Sequence, residues 1–167
     1  MNQQEFLKLY DKNVAAIFRY IFLKVSTKEI AQDLTSEVFL RAWNRLSNAG
    51  NPGVKNPRAF LYSIARNLVI DSYRKKSRTD LSLDETQLQI PDLKDGPEEK
   101  TNIALEMKPV KKALREVKDD YAEVIIWHYL DELTVPEIAD ILDKSEGAVR
   151  VMLSRALEKV REVLGEK

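Results

Sequence analysis

The chain holds a single histidine, His128, inside the apolar run EVIIWHYL, and no cysteine. General acid–base or nucleophilic catalysis therefore has few of its usual groups, and a lone imidazole in such a run reads as a packed or half-buried side chain. No phosphate-cradling glycine loop, HExxH or nucleophile elbow occurs. Without thiols there is neither a disulfide nor a thiolate metal site, and a reducing cytoplasm is the expected compartment. The sequence calls for no metal, cofactor or enzymatic step. The chemistry it does offer is hydrogen bonding by cations. Between residues 145 and 158, Ser145, Gly147, Arg150, Val151, Ser154, Arg155 and Glu158 recur at helical spacing on one side. Arginine there suits guanine edges, and an amide-rich helix start can hold a phosphate.

Those residues need a helix to present them. Val149, Met152, Leu153, Ala156, Val160 and Leu164 mark its opposite, apolar side, and Ser145 is a suitable N-cap. Just before it, Thr134 and Glu137 form a capping box with Pro136 in the first turn, and Ile138, Ala139, Ile141 and Leu142 give a short helix. Asp143 and Lys144 separate the two. Two helices joined by so short a turn, the second carrying Arg and Ser early, follow helix-turn-helix logic. A plain helical hairpin with a solvated face would share much of this pattern.

The rest of the chain is helical almost throughout. Leu34, Val38, Ala42 and Leu46 recur in steps of four beside Phe39 and Trp43, and Ser26 with Glu29 fits a capping box ahead of them. Asn51-Pro52-Gly53 and Asn56-Pro57 mark a loop, after which Phe60, Leu61, Ile64, Leu68, Val69 and Ile70 open a new apolar pattern. From about Ser77 to Thr101 the periodicity fades amid Pro91 and Gly96-Pro97, which reads as a solvated linker. Helices resume near Ile103, with Ala113, Leu114 and Val117 as one apolar set and Val124, Ile125, Trp127, Tyr129 and Leu130 as the next.

Charge is unevenly spread. The 167 residues carry 27 basic and 27 acidic groups, yet residues 51–80 hold 7 basic and 2 acidic groups and residues 81–100 hold 2 and 6. A neutral total thus hides a basic stretch followed by an acidic one. The start, MNQQEFLKLYDKN, lacks the basic-then-apolar order of a signal peptide. No apolar run approaches the ~20 residues of a membrane span, so no membrane insertion is expected.

Two stretches carry a resemblance to a known family. AQDLTSEVFLRAW, residues 31–43, resembles the polymerase-binding helix of sigma-70-family proteins, and NPRAFLYSIARNLVIDSYRKKSR, residues 56–78, resembles their promoter-melting and −10 recognition helix. Their order, ahead of a linker and a helix-turn-helix, is similar to the small extracytoplasmic-function group. The resemblance implies an all-α chain: a three-to-four-helix bundle at 1–78, a flexible linker at 79–101 and a four-helix domain with the helix-turn-helix at 102–167.

It also implies roles. Asp33, Ser36, Glu37, Leu40 and Arg41 would meet core RNA polymerase at the clamp helices of its largest subunit, while the flap of the second large subunit would take the C-terminal domain. Lys55, Arg58, Tyr62, Arg66, Asn67, Tyr73, Arg74, Lys75 and Lys76 would serve −10 recognition and melting, which needs cations for the backbone and a pocket for an unstacked base. Asn67 is the expected base reader, with loop 48–57 completing its pocket. Ser145, Gly147, Arg150, Val151, Ser154 and Arg155 would read the −35 element, and an anti-sigma factor wedged between the domains would regulate the chain.

There are departures from the family. It often has Gln where Ser36 stands, Gly and an apolar residue at Asp143 and Lys144, and Ser and a basic residue at Val151 and Met152. Roughly 24 linker residues at ~3.3 Å each reach about 80 Å, against about 70 Å for two turns of DNA, so both domains can engage one promoter. The alternatives are a helix-turn-helix regulator acting without polymerase and a helical adaptor that binds only protein.

Overall fold

The computed structural model describes residues 1–25, 27–48, 53–79 and 103–165, with side chains for all of these except 78, 79 and 103–108. The chain divides into two compact units, Met1–Asp92 and Leu93–Lys167. All regular structure among the described residues is helical.

The N-terminal unit contains α1 (Gln3–Lys24), α2 (Lys28–Leu46) and α3 (Pro57–Thr79). Each start has its own chemistry. Asn2 and Glu5 form a reciprocal capping box on α1, with Glu5 N donating to Asn2 Oδ1 at 2.8 Å and Asn2 N to Glu5 Oε2 at 2.9 Å. The cap of α2 is Thr27, whose hydroxyl accepts from Ile30 N at 3.1 Å. That corrects the expected Ser26 cap by one residue; Ser26 itself lies outside the described residues. Asn56 caps α3, its Oδ1 accepting from Ala59 N at 3.1 Å, and Pro57 follows where no amide hydrogen is needed.

Each of these three helices packs on the other two. Ile17, Tyr20 and Ile21 of α1, Ala31, Val38 and Ala42 of α2, and Leu61, Tyr62 and Ala65 of α3 are sealed from solvent. Each buried Ile, Leu or Val of this set contributes about 1.5–3 kcal/mol. Aromatic edges extend the core along α1 and α2: Phe6 lies 5.1 Å from Trp43 and Tyr10 lies 4.7 Å from Phe39. The polar groups Asn13 and Thr35, both buried, bond back to their own helices, at Leu9 O (2.8 Å) and Ala31 O (2.6 Å).

The C-terminal unit contains α4 (Ile103–Arg115), α5 (Asp119–Ile125), α6 (Val135–Leu142) and α7 (Glu146–Val163). The end of α5 widens into a π-turn over Ile126–Leu130. Trp127, Ile126, Val124, Ile138 and Val149 make its core, all fully buried. Expected core positions Tyr129 and Leu164 are instead exposed, at 49% and 57%. The widened turn swings Tyr129 outward, and Leu164 caps α7 beyond its last packed turn. His128 is half-buried as expected, with its Nδ1 2.9 Å from the Leu133 carbonyl. The expected linker, residues 79–101, lies outside the described residues except for Thr79, which ends α3.

Candidate functional site

Three helix faces carry the residues singled out by the sequence. On α2, Asp33, Ser36, Leu40 and Arg41 are exposed and Glu37 is half-exposed, at spacings that place all five on one side. Arg41 Nε and Glu37 Oε1 form an ion pair at 2.7 Å. So exposed a pair adds under about 1 kcal/mol to stability. Leu40 stands among them 55% exposed, a large aliphatic group that the unit's own core does not use.

On α3 the expected residues separate. Asn67 and Arg74 are exposed and, seven residues apart, share one side of the helix. Lys75 is exposed, Lys76, Arg58 and Arg66 are partly buried, and Lys55 is exposed in the segment before the helix. Tyr62 is corrected: it is 0% exposed, tilted against Tyr20 at 6.0 Å, and belongs to the core rather than to a DNA surface. Its ring falls on the side of α3 that meets α1. Tyr73 keeps an exposed ring, but its hydroxyl donates to the Lys24 carbonyl. That oxygen lies in the last turn of α1, where carbonyls lack helical partners; Tyr73 thus ties α3 to α1. Of the loop expected to complete the pocket, residues 49–52 lie outside the described residues.

The helix-turn-helix is fully formed. Thr134 and Glu137 make the expected capping box of α6, with Glu137 N donating to Thr134 Oγ1 at 3.2 Å and Thr134 N to Glu137 Oε1 at 3.1 Å. The helix closes on Asp143 in the left-handed region (φ 52°, ψ 50°), and Lys144 N returns to the Ala139 carbonyl at 3.0 Å. This geometry explains why glycine suits that position, and aspartate is among the few residues that tolerate it. Ser145 then caps α7, its Oγ accepting from Ala148 N at 3.1 Å.

Val149, Leu153 and Ala156 of α7 face the core, while Gly147, Arg150, Val151, Ser154 and Arg155 are all exposed on the other side. A Cβ at Gly147 would meet nothing within 4 Å, so packing does not require glycine there. Arg150 Nη2 lies 3.3 Å from Glu146 Oε2. Glu146 thus joins this surface, and its i,i+4 spacing to Arg150 is the signal for it in the sequence.

Among the described residues no helix is long and apolar enough to cross a membrane. Two small helical units, the second a helix-turn-helix with an arginine-bearing outer face, give the architecture of a DNA-binding protein. The family model for Sigma-70 region 2 matches residues 9–79, and that for Sigma-70, region 4 matches residues 107–160. The ECF RNA polymerase sigma factor BldN of Streptomyces coelicolor is 33% identical over 160 residues, covering 95% of this chain and 60% of that protein's length. The RNA polymerase sigma factor YlaC of Bacillus subtilis is 31% identical over 151 residues, covering 89% of this chain and 85% of that one. Among solved structures, the sigma factor RpoE from Bartonella quintana, crystallised with the anti-sigma factor NepR, aligns with a TM-score of 0.69 at 22% identity, over 97% of this chain and 98% of that one. CnrH, solved with the cytosolic domain of CnrY, aligns at 0.70 and 22% over 98% of this chain and 90% of that one. The chain belongs to the extracytoplasmic-function group of the sigma-70 family, the sigma factors that direct bacterial RNA polymerase to promoters.

Proposed function

We propose a division of labour in which the N-terminal unit, residues 1–78, binds core polymerase and reads the −10 element, while residues 102–167 read the −35 element. The α2 face of Asp33, Ser36, Glu37, Leu40 and Arg41 meets the polymerase clamp. Asn67 reads an extruded −10 base, with Arg74, Lys75, Lys76, Arg58, Arg66 and Lys55 near the backbone. The outer face of α7 enters the major groove, where Arg150 pairs with guanine. The chain does no chemistry; it works in the cytoplasm and takes an anti-sigma factor as regulatory partner, as RpoE takes NepR.

One observation carries this reading. Leu40 is an exposed aliphatic residue ringed by polar and charged groups on a helix that already has a full core face. That is the composition of a protein-binding patch centred on an apolar anchor, and it lies in the stretch whose sequence resembles the polymerase-binding helix. Run-off transcription with purified bacterial core polymerase on a promoter library tests the assignment. Initiation from a defined promoter set is expected, and its loss in Leu40→Asp with the fold intact assigns the α2 face. Undiminished initiation by that variant overturns the assignment.

A further inference from the structure

Val151 does not fit the chemistry of its surroundings. It is 48% exposed on the outer side of α7, one turn after Gly147 and between Arg150 and Arg155 by helical spacing. The core is served by Val149, Leu153 and Ala156 on the other side. A β-branched residue on an open helix surface restricts its own rotamers and gives the fold little in return.

Valine has no donor and no acceptor, so it cannot hold a phosphate or read a polar base edge. The apolar feature that a base pair presents in the major groove is the C5-methyl group of thymine. Two further observations suit a close apolar contact. Gly147 leaves open space where a Cβ would stand, so the helix start can come near the duplex. The pairing of Glu146 with Arg150 at 3.3 Å, together with the exposed Glu158, moderates the positive charge of the face. Base-edge contacts therefore weigh more here than backbone attraction does.

We propose that Val151 is a specificity-determining residue that packs on a thymine methyl in the −35 element. The inference rests on α7 being the −35 reader. It places at least one thymine in the element beside the guanine read by Arg150, selected by shape rather than by hydrogen bonding.

The test uses the full chain with core polymerase. The preferred −35 element is first selected from a randomised promoter library. Each thymine in it is then replaced singly by deoxyuridine, which removes the methyl group and keeps the base pair. Promoter-complex formation is expected to fall about three- to fivefold at one position, the effect of losing one buried methyl contact. The Val151→Ser complex, with its exposed side chain changed and its core untouched, should still initiate but bind thymine and uracil forms equally at that position.

A wild-type complex indifferent to every thymine methyl overturns the proposal, as does a Val151→Ser complex that keeps the full thymine preference. So does a Val151→Ser change that weakens binding only to a protein partner. If polymerase carrying this chain selects no −35 element at all, the reading of α7 fails and the proposal falls with it, a result distinct from a selected element that ignores the methyl.

Discussion

Asn67 and Tyr62 stand five residues apart on α3 and have opposite consequences. Tyr62 is sealed in the core against Tyr20, so Tyr62→Ala should destabilise the N-terminal unit by about 3–5 kcal/mol, the range for emptying a buried aromatic site. Thermal unfolding will measure this. Asn67 is exposed, so Asn67→Ala should leave the melting curve within about 0.5 kcal/mol while altering −10 selection in the transcription assay. Gly147 separates fold from function in the same way. Alanine fits its open space and is favoured over glycine in a helix by up to about 1 kcal/mol. Gly147→Ala should therefore raise the stability of the C-terminal unit while lowering −35-dependent initiation, because the new methyl stands on the proposed DNA face. A variant that is both more stable and fully active would show that the duplex does not come close there. Glu132 carries strain of another kind: its φ of 58° lies in the left-handed region, so Glu132→Gly should stabilise the unit by about 0.5–1 kcal/mol.

At the scale of elements, the parts that the sequence revealed are those whose signals are local. The α6 and α7 caps and the buried residues Val149, Leu153 and Ala156 of α7 follow from residues within one or two turns and stand where spacing puts them, whereas Leu164 at the end of that stripe is exposed. The π-turn did not. Its extra residue per turn breaks the 3.6-residue rhythm, so Ile126 enters the core and Tyr129 leaves it, against what the spacing predicts. Tyr62 reads as a surface residue in the sequence because its neighbour Tyr20 lies on another helix, a fact that no spacing within α3 records. The start of α2 slipped by one residue because Ser26 and Thr27 offer the same hydroxyl.

Packing also produces a titration that the sequence does not announce. Burial, with Arg115 adding repulsion, lowers the Lys111 ammonium in α4 from its ordinary 10.5 to about 8. Between about pH 8 and 10.5 the unfolded chain then binds more protons than the folded one, so this group makes stability rise with pH across that window. Chemical denaturation should show the wild type gaining on Lys111→Met from pH 8 to 10.5, and a difference independent of pH would refute the assignment.

For the molecule as a whole, the balance of 27 basic and 27 acidic residues sets what the free chain can do. Non-specific DNA affinity comes largely from cations that displace counterions. Here the local excess in residues 51–80 is offset elsewhere, and Arg150 and Arg41 each face a carboxylate within their own helix. On the proposed division of labour, two such units would each hold promoter DNA weakly on their own, and anchoring both on polymerase would turn the second contact into a tethered one, which multiplies affinity without any new surface. Fluorescence anisotropy with a labelled promoter duplex should therefore show weak binding by the chain alone and at least about a hundredfold tighter binding once core polymerase is added. Leu40→Asp should abolish that gain while leaving the weak intrinsic binding in place, because Leu40 belongs to the proposed polymerase face and lies outside both proposed DNA faces. Arg150→Ala should keep much of the gain but blur −35 preference. If the free chain bound duplex promoter as tightly as the complex does, it would act as a regulator in its own right, and its exposed α2 face would need a different partner.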